Sequence, residues 1–203
     1  MRKLILQEFV TLDGMAAESD GDTKFIPATF QSDKVFRTEQ EELIKSANTM
    51  VIGRKTYEIF GEYWPAVKEG KEKEFADKIN SMDKIVVSRT LESAPWGDWE
   101  PAKVISGRAE EELAKLKQQP GSDMLIWGSI SLSQSLINAG LIDEIRIVTC
   151  PLVLGEGRPF FGDKIGSLDL KLEDAKTFHS GAVEARYAPE KTAESDRART
   201  ANR

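Results

Sequence analysis

The chain has 203 residues, of which 40% are hydrophobic and 31% charged, and its 28 Lys and Arg against 34 Asp and Glu give a formal net charge of -6. This composition is typical of a globular protein with enough apolar side chain to form a core. The acidic balance disfavours general binding to nucleic acid or to an anionic membrane, because the protein would repel the phosphates that it has to attract.

Cys150 is the only cysteine and His179 the only histidine, which excludes several kinds of site. One cysteine cannot form an internal disulfide, which favours a reducing compartment, and one Cys with one His cannot build a Cys/His zinc site. Gln7 and Glu8 interrupt the apolar N-terminal run too early for a signal peptide, and no stretch approaches the ~18 apolar residues of a membrane span. We therefore expect a cytoplasmic protein, and we predict no metal site, although carboxylate-only sites stay open without a spacing signature to indicate one.

Strand-like and helix-like segments alternate along the first part of the chain, which predicts an α/β domain with a largely parallel sheet. Several of the strand-like runs are continuously apolar, as strands covered on both faces should be. The predicted strands are 3–10, 49–52, 84–88, 102–106, 124–127 and 144–149, and the predicted helices are 32–47, 110–118 and 129–139.

The end of the domain follows a different pattern. Residues 168–178 and 182–187 alternate apolar and polar side chains around Ser180-Gly181, which predicts a β-hairpin. An antiparallel pair therefore closes an otherwise parallel sheet, and a purely parallel, doubly wound arrangement is excluded. We expect one domain over residues 1–188 and a disordered tail over 189–203, because the tail has no large apolar residue to bury.

The first of three strand-to-helix junctions carries the residues Gly53, Arg54, Lys55 and Thr56. Ligands of open α/β sheets bind at such junctions, at the carboxyl ends of the strands. Gly53 allows the backbone to approach a ligand closely, the helix start favours an anion, and the two cations supply charge. Taken alone, the same motif also fits a turn glycine followed by solvated cations.

Two further strand ends show related residues. Ser88 and Arg89 end one apolar strand, and a hydroxyl beside a guanidinium suits a phosphate. Gly128 ends another strand, where Ser129 or Ser131 is expected to cap the next helix. Neither a G-x-G-x-x-G fingerprint nor a Walker P-loop is present, so the prediction of a nucleotide site depends on these three signals converging in space.

The ordered motifs resemble a known family. They are Thr11-Leu-Asp-Gly, Val51-Ile-Gly-Arg-Lys-Thr-Tyr-Glu, Ile85-Val-Val-Ser-Arg, Leu125-Ile-Trp-Gly-Ser, Leu141-Ile-Asp-Glu-Ile-Arg-Ile and Pro151-Leu-Val-Leu-Gly-Glu-Gly. Together they resemble the dihydrofolate reductase-like superfamily and, more narrowly, stand-alone proteins similar to the C-terminal reductase domain of riboflavin biosynthesis. The resemblance implies a three-layer α/β/α fold, a mixed sheet with an antiparallel C-terminal strand, NADPH as hydride donor, and a homodimer.

The resemblance also implies roles for individual residues. The phosphates of NADPH would lie at Gly53, Arg54, Lys55 and Thr56, the adenosine 2′-phosphate at Ser88 and Arg89, the pyrophosphate at Gly128, Ser129 and Ile130, and the nicotinamide under Ala16 and Ala17. Asp13 becomes the candidate substrate anchor or proton relay, although an Asp-Gly pair after a strand is most often only a turn. Glu156 is a second substrate-side candidate, and a surface turn explains it equally well.

The predicted function is NADPH-dependent reduction of a C=O or C=N bond in a small heterocyclic or sugar-linked metabolite, as in 5-amino-6-(5-phosphoribosylamino)uracil reductase. A dihydrofolate or pterin reductase is one alternative, although none of Asp33, Glu39, Glu41 and Glu42 fits the role of the pterin-binding carboxylate. A non-catalytic, dimeric NADPH-binding module is the other.

Overall fold

The computed structural model describes residues 1–163 and 165–190. The strands of this part are β1 (Leu4–Thr11), β2 (Met15–Ala17), β3 (Thr49–Gly53), β4 (Asp83–Val87), β5 (Ala94–Trp96), β6 (Trp99–Ile105), β7 (Met124–Trp127), β8 (Glu144–Cys150), β9 (Arg158–Pro159), β10 (Leu170–Thr177) and β11 (Val183–Pro189). The helices are α1 (Phe25–Phe30), α2 (Lys34–Ser46), α3 (Arg54–Tyr63), α4 (Lys73–Ser81), α5 (Ala109–Gln118) and α6 (Ile130–Asn138), and a short 3-10 helix (Trp64–Ala66) follows α3. None of these helices is both long and apolar enough to cross a bilayer.

The main sheet has the strand order β10-β11-β8-β1-β7-β3-β4-β6-β5. The central run from β8 to β6 is parallel, whereas β11 runs antiparallel to β8 and forms a hairpin with β10. The predicted mixed sheet with an antiparallel C-terminal hairpin is therefore confirmed. β2 and β9 form a separate two-stranded sheet.

Helices cover both faces of the sheet and give three layers. On one face, Leu6 and Ile126 pack with Leu113 of α5 and Leu136 of α6. On the other, side chains of β1, β3 and β7 pack with α2 and α4, with Tyr57 of α3 at the margin. Successive residues of a strand point to opposite faces, so the continuous apolar runs of the central strands supply both cores at once.

The structure corrects several predicted boundaries. Pro189, which was assigned to the tail, ends β11, and the Glu190 amide donates to the Asp169 carbonyl at 2.8 Å. The remaining predicted tail, residues 191–203, lies outside the described residues. The short elements β2, β5, β9 and α1 were not predicted, because two to six residues carry too little periodicity to identify.

Candidate functional site

The first and third predicted junctions are joined by a direct hydrogen bond. The Gly53 amide at the end of β3 donates to Ser129 Oγ at 2.9 Å, and that hydroxyl in turn lies 3.0 Å from Thr56 Oγ1. β3 and β7 are parallel neighbours, so their carboxyl ends meet at one edge of the sheet. The structure therefore places Gly53, Thr56 and Ser129 in a single cluster.

The second junction lies beside the first, because β3 pairs with β4. Arg54 Nη1 donates to Thr90 Oγ1 at 3.0 Å, and Arg54 Nε pairs with Glu58 at 2.7 Å. Thr90 was not among the predicted site residues, although it directly follows Ser88-Arg89 in the sequence. It contributes an exposed hydroxyl to this end of the cluster.

Ser88 does not present its side chain to solvent. It is buried, and its Oγ accepts hydrogen bonds from the amides of Thr90 and Leu91, both at 3.2 Å. Its hydroxyl thus stabilises the turn that carries Arg89. Arg89 and Lys55 are exposed, and within the described part of the chain neither forms an ion pair. Two unpaired cations therefore remain at this edge.

The starts of α3 and α6 both lack a side-chain cap, and the two helices have 10 and 9 residues. Among the described helices only α2 has a side-chain cap, from Asp33, whose Oδ1 accepts from the Phe36 amide at 3.0 Å, so α3 and α6 are set apart by the hydrogen bond that joins their starts. The first amides of an α-helix have no partner within the helix, and the helix dipole favours an anion beside them. Two uncapped starts joined at one edge form a site suited to a phosphate-bearing ligand.

Ser129 departs from the predicted helix cap. Its φ of +59° is left-handed, which costs a non-glycine residue about 1–2 kcal/mol, and its hydroxyl bonds across to Gly53 instead of capping α6. Gly128 before it has a φ of +54°, and Ile130 begins α6. Because the backbone of Ser129 is left-handed, its side chain links the two junctions and does not cap α6.

Asp13 fixes the loop that follows β8. Its Oδ2 accepts from the Gly155 amide at 2.8 Å, and its Oδ1 accepts from the Leu154 amide at 3.2 Å and from Thr11 Oγ1 at 2.5 Å. The Thr11 hydroxyl and the Gly155 amide lower the pKa of Asp13 below its usual range. A carboxylate with a lowered pKa holds a proton weakly, so this geometry favours a loop anchor over a proton relay.

The predicted nicotinamide residues, Ala16 and Ala17, and the second substrate-side candidate, Glu156, lie close to this loop. Ala16 and Ala17 are buried in β2, which pairs with β9. Glu156 is exposed and lines a cavity of about 290 Å³ together with Glu18, Ser19, Asp20 and Leu154. Three carboxylates therefore surround the cavity next to Asp13. Among the described residues, no three His, Cys, Asp or Glu side chains are grouped as metal ligands.

One residue that sequence reasoning did not assign to the site is Glu8, in the middle of β1. It is only 3% exposed, and its Oε2 has no hydrogen-bond partner among the described residues. Burial raises its pKa to about 8. The signal was visible as a carboxylate inside a predicted strand, but Glu8 served only to exclude a signal peptide.

The fold and this edge define an α/β domain with a site suited to a phosphate-bearing ligand. The chain matches the family model of the RibD C-terminal domain over residues 2–183 and belongs to that family. It is 34% identical over 187 residues to YyaP, an uncharacterized protein of Bacillus subtilis (strain 168), with 92% of this chain and 94% of YyaP covered. This membership supports a reductase of the riboflavin-biosynthesis type.

Two solved structures share the fold. A putative riboflavin biosynthesis protein from Shewanella sp. PV-4 superposes with a TM-score of 0.72 at 21% identity, covering 93% of this chain and 99% of that one. Dihydrofolate reductase from Enterococcus faecalis, complexed with NADP(H) and RAB-propyl, gives a TM-score of 0.56 at 17% identity and covers 93% and 97%. The expected dihydrofolate reductase-like fold is confirmed.

Proposed function

We propose that the protein is an NADPH-dependent reductase of a C=O or C=N bond in a small heterocyclic or sugar-linked metabolite. The hydrogen bond from the Gly53 amide to Ser129 Oγ carries the proposal, because it unites two uncapped helix starts at one edge of the sheet. Membership of the RibD C-terminal family supports the same activity.

The residues at this edge fit a phosphorylated dinucleotide that lies across the strand ends. In the strand order β4-β3-β7-β1, Arg89 and Thr90 lie at the β4 end of the site. A cation and a hydroxyl there suit the 2′-phosphate on the adenosine half of the dinucleotide. Gly53, Thr56 and Gly128 lie in the middle, where the amides at the helix starts suit the pyrophosphate. The nicotinamide half then reaches the end of β1, near Ala16 and Ala17.

When bound, NADPH supplies the hydride, and the protein supplies orientation and a site that excludes water. Hydrogen bonds to Glu58 and Thr90 hold the Arg54 guanidinium in place at the adenosine end of the proposed site. Asp13 holds the loop of Leu154 and Gly155 over the substrate side. A positioned loop lowers the entropic cost of bringing substrate and cofactor together.

We take the cavity beside Asp13 as the substrate side, and its acidic lining suits a compound without a phosphate group. Glu18, Asp20 and Glu156 surround the cavity beside Asp13, and like charges repel over such short distances. Arg158, the nearby cation in β9, already donates to the Ser19 carbonyl at 3.2 Å. A dephosphorylated relative of 5-amino-6-(5-phosphoribosylamino)uracil therefore fits this cavity better than the phosphorylated compound itself.

The structure does not favour the alternative of a dihydrofolate or pterin reductase. The carboxylates of α2 and its cap that would have to hold a pterin are each engaged elsewhere. Asp33 caps α2 and also accepts from the Ser180 amide, Glu39 pairs with Lys176, Glu41 with Lys78, and Glu42 with Lys45.

Arg89→Ala tests the cofactor assignment, with binding of NADPH and NADH measured by calorimetry. A charge-assisted hydrogen bond is worth about 1.5–3 kcal/mol, so NADPH affinity should fall roughly ten- to hundredfold while NADH affinity stays unchanged. Lys171→Ala, which removes an exposed cation from β10 at the opposite edge of the sheet, is the matched control. Equal losses for both dinucleotides would remove Arg89 from the 2′-phosphate site.

Turnover separates the reductase from a non-catalytic module. Loss of NADPH absorbance is followed with 5-amino-6-(5-phosphoribosylamino)uracil, its dephosphorylated form and dihydrofolate. The reductase proposal expects oxidation with a uracil compound, faster with the dephosphorylated one. Tight NADPH binding without oxidation by any of these would favour the binding module.

A further inference from the structure

Glu8 is a carboxyl group without a counterion, buried in the middle of β1 at the level where the neighbouring β7 ends. Alternate residues of β1, including Leu6 and Val10, point into the core beneath α5 and α6, and Glu8 has the same parity. Its Oε1 accepts only from the Phe9 amide, at 3.2 Å, and its Oε2 has no partner in the described part of the chain. A buried polar atom without a partner costs the folded protein free energy.

The position of Glu8 links it to the turn at Gly128. Gln7 is paired with Trp127 in the β1–β7 register, so Glu8 lies level with Gly128. A Cβ atom built on Gly128 would lie 3.9 Å from Glu8 Oε1 and 3.8 Å from Thr56 Oγ1. The carboxyl group therefore flanks this turn on the β1 side, as Thr56 does on the β3 side.

No charged side chain on the neighbouring elements offsets Glu8. β7 and α6 contain no titratable residue, and the β8 residue opposite Glu8 is Ile147. Titratable groups on the other packed elements have partners of their own. These are Glu144 with Arg146 on β8, Glu110 with Ser135 from α5 to α6, Lys117 with Asp143, and Arg158 of β9 with the Ser19 carbonyl.

We infer that Glu8 is a positioning residue of the dinucleotide site, whose carboxyl group flanks the Gly128 turn and whose ionised form opposes phosphates bound at that turn. The inference rests on the proposed function, because it needs a dinucleotide at this edge. A carboxylate this deeply buried would repel the phosphates through a medium that screens charge poorly. Binding and ionisation of Glu8 are therefore linked, and a bound dinucleotide should increase the affinity of Glu8 for its proton.

The pH dependence of NADPH binding tests this linkage. Dissociation constants are measured by calorimetry from about pH 6 to about pH 10 for the wild type and Glu8→Gln. A competing ionisation weakens binding by up to about tenfold per pH unit above the pKa of the free protein, so the wild type should lose affinity above about pH 8 and the variant should not. The ratio of the two constants cancels the titration of the 2′-phosphate itself.

Glu173→Gln is the matched control, because it removes an exposed carboxylate from β10 and should keep the wild-type profile. Identical profiles for the wild type and Glu8→Gln would overturn the inference and leave the dinucleotide site standing, whereas absence of NADPH binding at every pH would overturn both. Calorimetry of the wild type in buffers of different ionisation enthalpy gives a second measurement that needs no variant. Proton uptake on NADPH binding near pH 8 supports the linkage, and no uptake refutes it.

Discussion

The burial of Glu8 predicts that Glu8→Gln stabilises the protein at alkaline pH. The carboxyl group has its ordinary pKa of 4.5 in the unfolded chain and a pKa of about 8 in the folded protein, where burial disfavours the charge. Below both values Glu8 is protonated in both states and has no effect. As the pH rises between them, the unfolded chain releases a proton that the folded protein retains, so the wild type loses stability with rising pH.

The magnitude follows from the difference between the two pKa values. That difference, 8 − 4.5 = 3.5, corresponds at about 1.36 kcal/mol per pKa unit to an upper limit of about 5 kcal/mol above pH 8. The slope is at most about 1.4 kcal/mol per pH unit. Glutamine has nearly the same shape and no charge, so its own burial cost is constant with pH.

Urea unfolding of the wild type and Glu8→Gln, followed by circular dichroism between about pH 4 and about pH 9, measures this effect. The free energy of unfolding of the variant minus that of the wild type should increase with pH and level off above about pH 8. Taking the difference between the variant and the wild type cancels the contributions of all other titrating groups to the free energy of unfolding. A difference that stays constant across this range would show that Glu8 is ionised in the folded protein and would refute the reasoning.

Two further predictions concern the site. Ser129→Ala should lower the free energy of unfolding in urea by about 1–2 kcal/mol, because it removes the acceptor of the Gly53 amide. Ser129→Gly should lower it by about 1 kcal/mol less, because glycine adopts the left-handed φ without strain. Equal losses for the two variants would contradict the strain argument. Asp13→Asn should lower turnover and reduce hydrogen-exchange protection of the Leu154 and Gly155 amides without changing NADPH affinity. Unchanged protection would show that Asp13 does not hold the loop.

The sequence predicted the long elements of the fold well, because they have a clear period. The apolar runs at 49–52 and 124–127 became β3 and β7 within one residue, and the alternation around Ser180-Gly181 became the β10–β11 hairpin. β2 and β9 pair over two or three residues each. Their pairing depends on the path of the loops between them, which no local pattern encodes.

Within the candidate site, the sequence predicted positions better than roles. Parallel strands end at the same edge of a sheet, so Gly53, Ser88 and Gly128 could be grouped without coordinates. Ser129 was one of two candidates, with Ser131, for the helix cap because its residue type favours one, and its left-handed backbone directs the hydroxyl to Gly53 instead. Ser88 stabilises its own turn, and Arg89 and Thr90 are the exposed residues at this strand end. A role of this kind depends on backbone dihedral angles that residue type alone does not fix.

Glu8 shows why a misfit in a sequence pattern is informative. A strand buried on both faces is expected to be apolar throughout, and a carboxyl inside it lowers stability unless a partner neutralises it. In β1, Gln7 has partners, since it accepts from Trp127 Nε1 at 2.7 Å and donates to Glu184 at 3.0 Å, whereas Glu8 Oε2 has none among the described residues. Violations of this kind are expected at functional sites. The buried, unpartnered carboxyl group of Glu8 therefore lies beside the Gly128 turn, at the edge of the sheet where the cofactor is proposed to bind.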